Sequence, residues 1–159
     1  MIKTFDSFDD MIKYAQTLDG FTFRQLGTEE TLFGEPQERA FNLTSATGLS
    51  IVIDMINSYE FFYKIFNAND ELLFETCESK ERGSIMDWDR ILNVDTLVYD
   101  LIYNFQKGLP RVKREIESNE RKYQKTRKDQ YCYRVMSLER QYHAMERAIK
   151  RLSTKNANI

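Results

Sequence analysis

The chain has 159 residues, of which 42% are hydrophobic and 13% aromatic, so it is long enough for one domain with a core but short for two full domains. No stretch reaches the ~18 consecutive apolar residues of a membrane span, and the first residues lack the basic and apolar regions of a signal peptide. We therefore expect a cytoplasmic protein with no membrane segment. Cys77 and Cys132, the only cysteines, have no metal-like spacing, so a disulfide framework or a zinc site has no support.

The formal net charge of −2 conceals two opposed parts. Residues 1–106 contain 8 Lys and Arg against 19 Asp and Glu, a charge of −11, whereas residues 107–159 contain 15 against 6, a charge of +9. We interpret the first part as an acidic α+β body and the second as a basic, long helical extension. Such asymmetry points to a nucleic acid, to a charged protein partner, or to neutralisation of one part by the other.

The first predicted element is a short helix over residues 8–18, where acidic residues in the first turn precede apolar residues at helical spacing. Residues 21–38 give mixed signals. They begin with the alternation of a strand, but Gly27, Gly34 and Pro36 divide them into turns.

Residues 39–77 predict an antiparallel meander of four strands, because β-branched and aromatic runs alternate with turn residues at hairpin spacing. The predicted strands are 40–44, 49–56, 60–67 and 71–77. The second carries apolar residues on both faces and is therefore expected to be central. Asp54 interrupts it, and an ionised carboxylate there must either face water at an edge or pair with a base such as Lys64. Either role is favoured over catalysis.

Helices follow the sheet. Residues 84–87 have the form of a capping box that opens a helix, and residues 94–105 are apolar nearly all round, which predicts a buried helix. Gly108 and Pro110 then predict a joint between helices. From Pro110 to about Leu152 the chain has no further Gly or Pro, which predicts one long C-terminal helix. The predicted fold is α+β: a four-stranded antiparallel meander with a short N-terminal helix and a buried helix, followed by this long helix.

The long helix contains an apolar seam in its second half, with a/d spacing held for three heptads. We call the following residues the seam: Tyr131, Val135, Leu138, Tyr142, Met145, Ile149 and Leu152. An unbent helix over residues 110–152 would measure about 65 Å, and a joint at 108–110 would let the preceding helix cover only its first part. The seam is therefore a candidate partner-binding surface. We considered that it packs on the sheet after a bend, on a second copy in a homodimer, or on another protein.

A basic stripe precedes the seam at steps of 3, 7, 4 and 3. It comprises Arg111, Arg114, Arg121, Lys125 and Lys128. Such a stripe can bind phosphates through counterion release, and it can equally be an ordinary solvated helix face.

Catalytic signals are lacking. His143 is the only histidine, which excludes a mechanism or metal site that needs two imidazoles. All six glycines fall at predicted turns, and none forms a phosphate-binding loop. We therefore expect neither an enzyme nor a cofactor or metal.

These observations favour a small non-catalytic protein-binding regulator or inhibitor. Its size and divided charge suit an accessory protein of a phage or mobile element that acts on a nucleic-acid enzyme. The alternative is a nucleic-acid-binding protein that uses the basic helix 107–128 and dimerises through residues 131–152.

Overall fold

The computed structural model describes Phe5 and residues 8–26, 40–55, 60–79 and 87–154. These residues form nine elements in an α+β arrangement. No helix among them is long and apolar enough to cross a membrane.

A five-stranded antiparallel sheet forms the centre of the first part of the chain. Its strands, in both chain and sheet order, are β1 Phe21–Gln25, β2 Ala40–Ser45, β3 Ser50–Met55, β4 Glu60–Phe66 and β5 Leu72–Ser79. The meander is confirmed, but the prediction of four strands is wrong. The strand-like alternation at the start of residues 21–38 is β1. It was not predicted as part of the meander because it pairs with β2 across a long connection, with Phe21 opposite Ser45. The turns predicted within residues 27–38 lie outside the described residues.

The core lies on one face of this sheet, where alternate residues of neighbouring strands are buried. Phe41, Ile53 and Phe61 are each at most 1% exposed. The opposite face holds Asp54, which is 7% exposed on the central strand β3. Asp54 is therefore not an edge residue facing water. Its suggested partner, Lys64, is exposed and lies opposite Val52 on β3 and Glu75 on β5. The pairing of Asp54 with Lys64 stays a prediction.

Two short helices flank the sheet. α1 Phe8–Gln16 confirms the predicted N-terminal helix, and its apolar side buries Met11 and Ala15. α2 Trp88–Leu92 places the Trp88 ring 5.1 Å from that of Phe61. Asp87 precedes α2 but makes no side-chain capping bond, and the rest of the capping box predicted at 84–87 lies outside the described residues.

α3 Val94–Thr126 is the longest helix. Asn93 separates it from α2, and its side-chain oxygen accepts a hydrogen bond from the Thr96 amide at 3.2 Å. The joint predicted at 108–110 does not form, because α3 runs through Gly108 and Pro110 without interruption. The prediction of a helix buried all round is also wrong, since Tyr99 is 68% exposed and Tyr103 54%.

α3 ends at Thr126, and α4 Asp129–Ser153 begins three residues later. The prediction of a single long C-terminal helix is therefore wrong, because the segment forms parts of two helices. Arg127 makes the break, with a φ of 55° in the left-handed region. A helix cannot continue through that conformation in an L-residue, and no glycine or proline marks the position.

The described residues divide into two compact units, one within Met1–Val98 and one comprising Tyr99–Thr154. The boundary thus falls inside α3, eight residues before the predicted division at 106/107. That division into an acidic body and a basic extension remains a prediction.

Candidate interaction surfaces of the helical hairpin

From Tyr99 onward, α3 folds back against α4 as an antiparallel hairpin. The Lys122 ammonium lies 5.8 Å from the Tyr131 ring centroid, and Arg134 forms a 3.5 Å ion pair with Glu115. Each pair spans the turn at Arg127, the second further from it than the first. The two helices are therefore neighbours over several turns, as in other helical hairpins with short connections.

Side-chain contact between the two helices continues towards the far end of the hairpin. A Cβ atom built on Gly108 would come 2.8 Å from the Met145 methyl carbon, too close for ordinary contact. Gly108 thus lies inside α3, next to the end of the Met145 side chain, and does not end a helix. Gly just past one helix and Pro at the start of the next are a typical signal of a helix–helix joint, which is why a joint was predicted at Gly108 to Pro110.

The seam is the face of α4 that is withdrawn from solvent. Leu138 is 1% exposed and Leu152 is fully buried, and the remaining seam residues are half-buried. These are Tyr131, Val135, Tyr142, Met145 and Ile149. Tyr131 and Met145 both approach α3, so the structure places the seam against α3 of the same chain, an arrangement absent from the three considered above. The error follows from the position of the reversal, since a turn at 108–110 would have left no helix to cover residues 131–152.

The turn between the helices is held by local contacts. The Arg127 amide donates to the Tyr123 carbonyl at 2.7 Å, and the Arg127 guanidinium lies 5.5 Å from the Tyr123 ring centroid. The Thr126 hydroxyl donates to the Lys122 carbonyl at 2.8 Å and accepts from the Lys128 amide at 3.3 Å. These bonds satisfy backbone groups that a helix end leaves unpaired.

The predicted basic stripe lies on the side of α3 that faces away from α4. Successive helix positions turn by about 100°, so Arg121 is directly opposite the buried Val112. All five members of the stripe are exposed, four of them on α3 and Lys128 in the turn.

The structure extends this surface towards the start of the hairpin, because α3 is continuous. Tyr99, Tyr103 and Lys107 continue the same side at four-residue steps, and all three are exposed. We define the outer face of α3 as Tyr99, Tyr103, Lys107, Arg111, Arg114, Arg121 and Lys125. The two tyrosines were not predicted to belong to this surface because the sequence indicated a separate buried helix over residues 94–105, although their four-residue spacing was visible.

A second outward surface lies on α4, opposite the seam. We define the outer face of α4 as Tyr133, Met136, Arg140, Ala144, Arg147 and Arg151, all of which are exposed. Tyr133 is 67% exposed and Met136 47%. No Asp or Glu between Tyr133 and Arg151 falls at a helix position on this side of α4. This face was not predicted because the apolar spacing of the seam is the stronger pattern on the same helix.

Groups with catalytic potential show no shared site among the described residues. His143 is exposed, with its Nδ1 3.1 Å from the Glu146 carboxylate one turn away. Cys132 is a half-buried free thiol. In the described parts of the chain no three His, Cys, Asp or Glu residues are grouped as metal ligands.

Tyr14 of α1, outside the hairpin, contacts Asp89 of α2 and has a shifted pKa. The Tyr14 hydroxyl donates a short hydrogen bond to the Asp89 carboxylate. That bond, partial burial and the negative charge of Asp89 all raise the pKa of Tyr14 above 10.0. The effect stabilises the neutral phenol, which is a structural role.

Comparisons of the chain with protein-family models, with curated proteins and with solved structures returned no match.

Proposed function

We propose that this chain is a small non-catalytic binding protein that regulates or inhibits a larger assembly, and that it contacts a protein partner through the outer face of α4. The observation that supports this most directly is the exposure of a Tyr, a Met and three Arg side chains together on that face. A phage or mobile-element accessory protein directed at a nucleic-acid enzyme is the form of this function that the size and charge of the chain suggest.

The residue types of the outer face of α4 are those that protein interfaces favour. Tyr, Met and Arg are enriched at interface centres, whereas Lys, Glu and Asp are depleted. Tyr and Arg are also the side chains that most often dominate binding energy. A solvated helix face needs none of these and would more commonly carry Lys and Glu.

The same face also indicates the chemistry of the partner. Arg140, Arg147 and Arg151 recur at steps of 7 and 4, so their guanidinium groups form one line beside Tyr133 and Met136. Guanidinium groups form paired hydrogen bonds with carboxylates. From Tyr133 to Arg151 the face is about 27 Å long, which suits an acidic helix or strand with an apolar residue near one end.

Affinity capture with matched charge variants tests this proposal. The tagged protein is used to capture partners from host extract, and each captured protein is purified and its Kd measured. Because Arg140 and Arg147 are exposed, Arg140→Glu/Arg147→Glu should leave the fold intact and weaken binding at least tenfold. The control, Arg111→Glu/Arg114→Glu, makes the same change of charge on the outer face of α3 and should retain binding.

The contrary results are equally specific. A captured partner that binds the Arg140→Glu/Arg147→Glu variant as tightly as the unchanged protein would show that this face is not the contact surface. A partner whose binding falls equally in both variants would indicate attraction to the overall charge of the hairpin rather than to a site.

A further inference from the structure

We propose that the outer face of α3 binds single-stranded nucleic acid, with bases stacked on Tyr99 and Tyr103 and phosphates held by the basic residues that follow. This goes beyond the proposed protein-binding function, which uses the other helix of the hairpin. The two surfaces point away from each other, since each lies opposite the contact between α3 and α4.

The cations of this face form a continuous line along one helix. Lys107, Arg111, Arg114, Arg121 and Lys125 are all exposed and span about 27 Å by helical rise. Because α3 continues through Gly108 and Pro110, the five side chains share one rigid support. A polyanion laid along them would release condensed counterions at each contact, which is the main source of non-specific affinity for nucleic acids.

Two exposed aromatic rings distinguish this face from an ordinary charged helix surface. Tyr99 and Tyr103 are 68% and 54% exposed and lie one helical turn apart. The Lys107 ammonium is 6.0 Å from the Tyr103 ring centroid, so a ring that can stack a base adjoins a cation that can hold a phosphate. A charge stripe that serves only solubility has no use for large exposed rings at its end.

Stacking selects the single strand over the duplex. The faces of duplex bases are already covered by neighbouring base pairs, whereas an unpaired base can stack on a tyrosine whatever its identity. Three carboxylates lie on or beside this face: Asp100 follows Tyr99 directly, and Glu117 and Glu120 line the same shallow pocket as Arg121 and Lys125. The five cations outnumber them. Sequence-independent binding with a preference for single strands is therefore the expected behaviour.

The test uses a fluorescein-labelled oligothymidylate of about 20 nucleotides, longer than the ~4–16 nucleotides of typical single-strand sites. Fluorescence anisotropy is measured with the full chain at a series of salt concentrations. Five phosphate contacts at about −0.7 each predict a slope of log K against log salt of about −3.5. A duplex of the same length is the competitor and should bind more weakly.

Two sets of variants separate charge from stacking. Arg114→Gln/Arg121→Gln should make the slope shallower by about 1.4, while the matched control Arg140→Gln/Arg147→Gln on α4 should leave it unchanged. Tyr99→Ser and Tyr103→Ser should each weaken binding roughly 5- to 150-fold without changing the slope. All substituted side chains are exposed, and circular dichroism checks that each variant is folded.

Three outcomes would overturn the inference: no binding of the oligonucleotide at low salt, equal loss of slope in the α4 control, or duplex binding as tight as single-strand binding with no effect of the tyrosine substitutions. The last would indicate a basic helix that contacts only phosphates. None of these outcomes affects protein binding through the outer face of α4, because the capture experiment tests that face with Arg140 and Arg147.

Discussion

Arg127 carries the backbone conformation on which the hairpin depends. Its φ of 55° is unfavourable for any residue with a Cβ atom, whereas glycine adopts it freely. Its side chain offsets part of this cost by lying over the Tyr123 ring. An arginine, rather than a glycine or proline, thus sets the path of residues 128–154.

Replacement of Arg127 should show both the backbone strain and the stabilising contact with the Tyr123 ring. Arg127→Gly should raise the free energy of unfolding by about 0.5–1 kcal/mol, because removal of the strain exceeds the loss of one exposed cation–π contact. Arg127→Ala loses the contact and keeps the strain, so it should lower stability slightly. Urea unfolding followed by circular dichroism measures both, and a destabilised glycine variant would show that the turn does not require a left-handed residue.

The Tyr14–Asp89 hydrogen bond gives a pH-dependent prediction at the same scale. Tyr14→Phe should lower the free energy of unfolding by about 0.5–1 kcal/mol at neutral pH, since a partly exposed hydrogen bond is lost. The folded-state pKa of Tyr14 is raised, so this contribution is fully present below about pH 10, the pKa of an unperturbed tyrosine. It is lost as the pH rises through the raised pKa. The stability difference between the two proteins should therefore shrink above pH 10, and a difference that stays constant or grows would contradict the assignment.

At the scale of elements, α4 has two sides with different roles. The seam is buried or half-buried against α3, and the outer face of α4 is exposed. Both repeat at steps of 3 and 4, so spacing alone identifies two candidate surfaces on one helix. Burial decides which is the core.

Two alanine substitutions on α4 test whether the seam is packed and the outer face of α4 is not. Leu138→Ala should lower the free energy of unfolding by about 2–5 kcal/mol, because Leu138 is 1% exposed and its loss leaves a cavity. Met136→Ala, two residues away and 47% exposed, is the matched control and should change stability by no more than about 0.5 kcal/mol. Calorimetry or urea unfolding compares them. Equal small effects would mean that the seam is not packed.

For the whole molecule, local patterns predicted the elements better than their arrangement. The N-terminal helix, the meander and the helical C-terminal half followed from periodicity and turn residues. The place of β1 in the sheet was not predicted, because Phe21 pairs with Ser45 and no local signal encodes a pairing at that distance along the chain. The hairpin was not predicted because Gly108 lies inside α3, next to the end of Met145, and forms no turn. The actual turn uses Arg127.

The candidate surfaces show the same limit. The spacing of the basic stripe was evident in the sequence, and all five of its side chains are exposed. Its extension to Tyr99 and the existence of the outer face of α4 both depend on where the chain reverses. Because the turn was predicted at 108–110 rather than at Arg127, the predicted contact surface was the seam, which lies inside the hairpin.

The reversal at Arg127 is the claim on which both proposed surfaces depend, and a distance between spin labels at Lys107→Cys and Lys150→Cys tests it directly. The labels are attached to the full chain after Cys77 and Cys132 are replaced by serine, and the distance is measured by double electron–electron resonance. Packed helices lie about 8–10 Å apart, so with label arms the hairpin predicts a distance below about 25 Å. One continuous helix through residues 107–150 would give about 65 Å, and that result would contradict the account.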